Sequence, residues 1–394
     1  MGAGEAAKME KVASDKFLVF GAPFIGEEEI DEVVDTLRSG WLGTGPKVAR
    51  FEELFRQYVG ADYAIAVNSC TAGLHLSMVV SGLRSGDEVI TTPMTFCATV
   101  NSIVHAGATP VLVDCDRETL LIDPQRIEDA ITSRTRAIVP VHLCGRPCDM
   151  DAILDIAARH NLIVIEDAAH AIETMYRGRK VGAISPLTAF SFYVTKNVVT
   201  GEGGMVTTND PKIAEKLRIY SLHGMSKDAW KRFSDSGYKH YQVAVPGFKY
   251  NMMDLQAAIG IHQLARVEAT LQRRNEIWQR YNQAFADLPV TLPAPDEPRT
   301  LHARHLYTLM IDKARCGVSR DEFLERLHAQ KIGAGVHYVG AHLHPYYQNR
   351  FGYRPEDFPN ASWISDRTVS IPLSPKLTDE DVEDVIEAVK FSLQ

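Results

Sequence analysis

Apolar residues recur along this chain with two alternating periods. Ile30, Val33, Val34 and Leu37 fall at helical spacing and stop at Gly40; Val48, Phe51, Phe55 and Tyr58 repeat the pattern and stop at Gly60. Short apolar runs bounded by turn residues predict strands over 63–67, 88–92, 110–113, 137–141, 162–167 and 187–192. The segment after Thr71 and residues 149–160 predict helices between them. This alternation implies an α/β fold, a mostly parallel sheet with helices on both faces.

After Asp254 the pattern changes. A charged helical stretch runs from about 255 to 285, followed by a proline-rich loop at 289–298 and a strand at 305–311. Ser319 and Glu322 form a capping box for a helix carrying Phe323, Leu324 and Leu327, and Val382, Val385, Ile386 and Val389 give the last helix one apolar face. The expected division is a flexible leader over 1–20, a large domain over 21–265 and a smaller C-terminal α/β domain over 266–394.

Composition narrows the function. A length of 394 residues and 45% hydrophobic content allow two domains with sizeable cores. The net charge is -8 and the basic residues are scattered, which argues against nucleic acid as the main partner. Among six cysteines the only close pair, Cys144 and Cys148, has one residue too many between them for a redox CxxC. The N-terminus lacks a basic-then-apolar pattern, Ala6 breaks the myristoylation pattern, and no apolar stretch is long enough for a bilayer. The expectation is a reduced cytoplasmic protein with no membrane partner.

Two residues stand out against that background. Lys196 follows the 187–192 strand in a turn rich in Thr and Gly, and Asp167 ends the 162–167 strand. A lysine and an aspartate at the C-terminal ends of two buried strands suit pyridoxal 5'-phosphate (PLP): an amine to bond the aldehyde and a carboxylate to partner the ring nitrogen. A carboxylate about 3 Å from a pyridinium gains about 5 kcal/mol at an effective dielectric of about 20. That is about four pKa units, enough to keep the ring protonated near neutrality. A helix-capping Asp and a solvated loop Lys are the competing readings of the same residues.

The turn 68–73 (NSCTAG) lies between strand and helix, where small residues let backbone N–H groups face a phosphate, or form a plain helix cap. Ser191 offers a further hydroxyl, and Phe96 either stacks on a ring or packs in the core. No GxGxxG follows a strand and no GxxxxGK[ST] occurs, which leaves a dinucleotide or ATP site without support. His337, His342 and His344 fit no metal-ligand spacing, so no metal is expected.

The segments 39–46 (SGWLGTGP), 88–93 (EVITTP), 166–171 (EDAAHA), 191–197 (SFYVTKN), 201–204 (GEGG), 250–254 (YNMMD) and His337-Tyr338 resemble the DegT/DnrJ/EryC family of PLP-dependent nucleotide-sugar aminotransferases. The resemblance runs from about residue 21 to 393. It implies the fold-type-I aminotransferase homodimer with active sites shared between subunits. In it Lys196 bonds the cofactor and Asp167 pairs with the pyridine nitrogen. Backbone amides of Thr71 and Ala72, with Ser191, hold the phosphate, and Asn251 of the partner subunit reaches the same phosphate. His170 lies near the ring hydroxyl and Phe96 stacks on the ring. The segment 228–232 is similar to a loop that covers the partner's site, and Arg232, His337 and Tyr338 are candidate substrate contacts.

The resemblance also has departures. The phosphate turn reads Ser-Cys-Thr-Ala-Gly where many relatives have Gly-Thr-Ala-Ala, and Met252 stands where relatives often have Arg. Relatives with His in place of the lysine are dehydratases, so Lys196 argues for transamination. The segment 312–320 and His170 are similar to the branch that makes UDP-4-amino-4-deoxy-L-arabinose, implying L-glutamate and a 4-keto nucleotide sugar as substrates. A PLP-dependent dehydratase or isomerase, and a non-catalytic PLP-binding regulator, are the alternative readings.

Overall fold

The computed structural model describes residues 16–225 and 242–394. Its strands are β1 (Tyr63–Val67), β2 (Glu88–Thr91), β3 (Thr109–Leu112), β4 (Thr135–Val139), β5 (Ile163–Asp167), β6 (Met175–Tyr176), β7 (Arg179–Lys180), β8 (Leu187–Ser191), β9 (Gly204–Thr208), β10 (Thr300–Leu301), β11 (Tyr307–Met310) and β12 (Thr368–Ile371). The main sheet has seven strands in the order β1-β9-β8-β5-β4-β2-β3. Its pairings are parallel except at β9, which runs antiparallel to both neighbours. β5 and β8 lie side by side, with Asp167 in register with Ala189, so both strands deliver their last residues to one edge. In an open parallel sheet that edge is where ligands bind.

Helices cover both faces. Phe51 and Phe55, from the helix Pro46–Val59, pack on Phe190 and Phe192; Leu74 and Leu76, from the helix Cys70–Val80, pack with Ile65, Val89 and Val206 on the other side. A separate C-terminal core gathers Ile277, Trp278, Phe323, Leu327, Val369, Val385 and Ile386 around β11 and β12. Gly204 opens β9 because a Cβ there would lie 2.6 Å from the Ser69 carbonyl carbon, so only glycine lets β9 pass the turn before the Cys70–Val80 helix.

Several elements differ from the sequence expectation. The stretch expected as one helix over 255–285 is two, Asp254–Ala265 and Val267–Phe285, parted at Arg266 (φ -109°, ψ 8°). The Arg266 guanidinium is drawn instead to the buried Glu29 carboxylate. The first helix, Glu27–Ser39, turns only part of its apolar stripe inward: Val33 and Val34 are half-buried, Ile30 and Leu37 are 47% and 54% exposed, and the buried positions are Glu29 and Thr36. Glu29 can be buried because it also accepts from Gln263 and from the Gly26 amide, at 2.8 and 2.9 Å.

Residues 1–15 of the expected leader lie outside the described residues. Leu18, also placed in the leader, is buried and bonds Lys331 and Gly333 through its backbone at 2.9 and 2.8 Å. No helix among the described residues is long and apolar enough to cross a membrane.

Candidate active site

The ends of β5 and β8 open into a cavity of about 670 Å³ lined by Lys196, Asp167, Ser69, Thr71, Phe96, His170, Ser191, His337 and Tyr338. Asp167 is 5% exposed. Its Oδ2 accepts from the Thr99 hydroxyl at 2.7 Å, and its Oδ1 from the Ala169 amide at 3.1 Å. Thr99 is in turn 2.6 Å from the Thr95 hydroxyl, four residues earlier and just ahead of the Cys97–His105 helix. Burial pushes the Asp167 carboxyl up, against the Thr99 and Ala169 hydrogen bonds and the Lys196 charge. No ion pair holds Asp167 among the described residues. A buried carboxylate with two neutral donors and no bonded cation suits a protonated ring nitrogen as its third partner.

Lys196 sits in a closed turn: its N–H donates to the Tyr193 carbonyl at 2.8 Å, and the Thr200 N–H to the Phe192 carbonyl at 2.8 Å. Burial lowers its ammonium to about 8, although Cys70, Asp167 and Cys144 pull the other way. A fraction of the amine is therefore neutral and nucleophilic near pH 7. The residues present fit PLP: an amine, an acidic partner for the ring, and a small-residue turn at a helix start for the phosphate.

Each remaining expected residue has a definite place. Thr71 lines the cavity, whereas Ala72 lies buried behind it and its N–H donates to the Ser69 hydroxyl at 3.1 Å. That amide therefore caps the Cys70–Val80 helix here, and a phosphate oxygen would compete with Ser69 for it. The Ser191 hydroxyl accepts from the Tyr193 amide at 3.3 Å. Phe96 is 56% exposed, with its ring 5.8 Å from that of Tyr338. The Tyr338 hydroxyl is 3.2 Å from His170 Nε2, and His337 Nδ1 is 2.9 Å from the Ser370 hydroxyl.

Asn251 is not brought to this cavity. It lies in a separate groove with Trp41 and Thr44, where its Nδ2 donates to the Thr44 hydroxyl at 2.6 Å and its Oδ1 is buried without a partner. Arg232 and the segment 228–232 lie outside the described residues. Among the described residues no group of His, Cys, Asp and Glu could hold a metal, and His342 is instead 2.8 Å from the Ser362 hydroxyl.

Sequence reasoning missed Thr99, His305 and Phe20. Thr99 is in the first turn of the Cys97–His105 helix and Thr95 just ahead of it, and two hydroxyls so spaced at a helix start are the only local signal. His305 and Phe20 carry no local signal; they join the cavity through chain crossings far from Lys196.

With this geometry in hand, the chain compares closely with known proteins. The model of the DegT/DnrJ/EryC1/StrS aminotransferase family matches residues 23–390. The spore coat polysaccharide biosynthesis protein SpsC of Bacillus subtilis (strain 168) is 54% identical over 377 residues, spanning 95% of this chain and 96% of SpsC. The Streptococcus pneumoniae protein Spr1654, named as a sugar aminotransferase and solved in its PLP form, superposes with a TM-score of 0.89 at 34% identity, covering 95% of this chain and 98% of its own. DesI, solved in the presence of its TDP-sugar product, gives 0.86 at 32% identity, covering 97% and 94%.

Proposed function

The chain belongs to the DegT/DnrJ/EryC1/StrS aminotransferase family of PLP-dependent enzymes, and from that premise we propose that it moves the amino group of L-glutamate to the C4 keto group of a nucleotide-linked sugar. The observation that carries the reading is the meeting of Lys196 and Asp167 in one cavity at neighbouring strand ends. Bound PLP supplies an aldehyde for amines and a ring that draws electrons from the carbon losing its proton.

The chain's own residues supply the rest. Lys196 Nζ would hold the cofactor and, as the one basic amine lining the cavity among the described residues, is placed to take a proton from the donor Cα and to return one to the sugar carbon. Asp167 would face the ring nitrogen, and the Thr99 hydroxyl and Ala169 amide aim its carboxylate and oppose the rise that burial imposes on it. Ser191 and the amides at the start of the Cys70–Val80 helix would receive the phosphate, in competition with the Ser69 hydroxyl at Ala72, and Phe96 would flank the ring.

The nucleotide linkage draws support from DesI and its TDP-sugar, and a polysaccharide end use from SpsC. The 312–320 segment and His170 favour the UDP-4-amino-4-deoxy-L-arabinose branch. The working form in this reading is a cytoplasmic homodimer, in which the large domain ends at the Arg266 break and Asn251 serves the partner's cofactor. Its position off its own cavity, with an orphaned buried Oδ1, supports that exchange.

The test is to load the enzyme with L-glutamate and screen UDP-, dTDP- and GDP-linked 4-keto sugars for discharge of the aminated cofactor. Amino-sugar formation with release of 2-oxoglutarate is expected, and Lys196→Ala should lose both this and the visible absorbance of lysine-bound PLP. Turnover in Lys196→Ala, or a deoxy-keto product without 2-oxoglutarate, rejects the reading.

A further inference from the structure

Behind Lys196 lies a chain of buried polar groups that amino transfer leaves unused. Arg274, 1% exposed on the Val267–Phe285 helix, pairs with the fully buried carboxylate of Glu173. The other oxygen of that carboxylate, Oε2, accepts from Asn197 Nδ2 at 2.9 Å, and the Ala303 carbonyl accepts the second amide proton at 3.0 Å. Both partners only accept, so the amide can face one way. Its Oδ1 lies 2.9 Å from His305 Nδ1. An amide oxygen only accepts, so His305 Nδ1 carries the proton. Burial, with the nearby Lys196 and His337, holds the His305 ring well below its ordinary range, so the ring bears one proton only. Its Nε2 is left as a bare acceptor with no hydrogen bond to a described residue, on a side chain that lines the cavity.

The neighbouring histidine is set the opposite way. The His170 and His305 ring centroids are 4.3 Å apart. The Cys144 amide donates to His170 Nδ1 at 3.2 Å, so the single proton of His170 sits on Nε2. From there it is donated to the Tyr338 oxygen, 3.2 Å away, and the Tyr338 hydroxyl proton is free for another partner. The two rings thus present one neutral acceptor and, through Tyr338, one neutral donor.

That pairing selects a ligand chemistry. The carboxylates of an amino donor call for charged partners, guanidinium or ammonium groups, which neither neutral ring supplies. Neutral acceptor and donor groups beside aromatic faces suit the hydroxyls of a sugar instead. We propose that His305, in the tautomer imposed by Glu173 and Asn197, accepts a hydrogen bond from a hydroxyl of the bound sugar while Tyr338 donates to an adjacent sugar oxygen. Glu173, Asn197 and Arg274 are positioning residues that act through His305. The inference rests on the sugar reading above and adds a specificity residue to it.

Two measurements test it, separable from the parent reading. In holoenzyme carrying [15N]histidine, the His305 signals, assigned by their absence in His305→Gln, should show a protonated Nδ1 and a bare Nε2. The reverse tautomer or an imidazolium overturns the proposal whatever the substrate. With the keto sugar that discharges the aminated enzyme, His305→Ala should lower kcat/KM of the sugar half-reaction about tenfold or more, with the glutamate half-reaction nearly unchanged. His305→Gln, which restores an acceptor oxygen, should recover part of the loss. An equal loss in both halves, a loss in the glutamate half alone, or no loss overturns it. If every sugar in the screen fails, the parent reading falls and the proposed sugar contact falls with it, whereas a wrong tautomer or the wrong split between half-reactions overturns the contact alone.

Discussion

At the residue scale, burial sets the chemistry of Lys196, and the sign of its effect on stability can be worked out. Its amine moves from 10.5 to about 8 on folding. Between these values the unfolded chain holds a proton that the folded chain has released, so stability rises with pH across that window. Below about pH 8 the buried ammonium costs the apoprotein about 3 kcal/mol. Apo Lys196→Met should therefore resist urea better than apo wild type at pH 7, by up to about 3 kcal/mol, and the advantage should shrink toward zero as pH approaches 10.5. An unchanged difference between pH 7 and 10 would place the amine in water. Thr99 tests the same site from the acid side. Thr99→Val removes a 2.7 Å donor to a buried carboxylate, worth about 1.5–3 kcal/mol. It should cut kcat about tenfold or more while the glutamate KM hardly moves; a change confined to KM would show that Thr99 serves binding instead.

At the element scale, a cap can be separated from the chemistry. The Ser319 hydroxyl accepts from the Glu322 amide at 3.3 Å, and the Glu322 carboxylate accepts from the Ser319 amide at 2.7 Å. Ser319→Ala should cost about 1 kcal/mol in urea unfolding and leave turnover alone. That box was legible because it is local, as were β1, read to the residue from its apolar run, and the helices stopped by Gly40 and Gly60. What stayed hidden depends on distant partners. β9 begins with a glycine and is a strand because it slots antiparallel between β1 and β8. β12 is made by pairing with β11. The break at Arg266 answers to Glu29, far away in sequence. The site follows the same rule. Asp167 shows in the sequence because it ends a strand and Lys196 because it stands in the turn after one, whereas Thr99 and His305 show only when the chain is folded. The partly outward set of the Glu27–Ser39 helix was invisible too: its period was readable, but not which face the rest of the molecule would cover.

At the scale of the whole molecule, the exposed half of that helix's apolar stripe is the strongest argument for a second copy. Ile30, Leu37, Trp41 and Leu42 are each more than 40% exposed, and Trp41 continues into the groove that holds Asn251. A run of large apolar side chains along one helix and the turn after it is what an interface leaves when its partner is removed. If two copies meet there, the orphaned Asn251 Oδ1 is at the seam, and cofactor binding depends on assembly. The double variant Ile30→Glu/Leu37→Glu would bury two unpaired carboxylates in that seam. Each costs more than the roughly 1.4 kcal/mol that changes an equilibrium tenfold. Both side chains are solvent-facing in the single chain, so the fold itself should survive, with an unchanged circular dichroism spectrum. Sedimentation should then show a smaller species than the parent, PLP should dissociate more readily, and turnover should fall at least about tenfold and recover partly at high protein concentration. A variant that sediments as the parent does and turns over at the parent rate would move the interface elsewhere and leave the exposed stripe to some other partner.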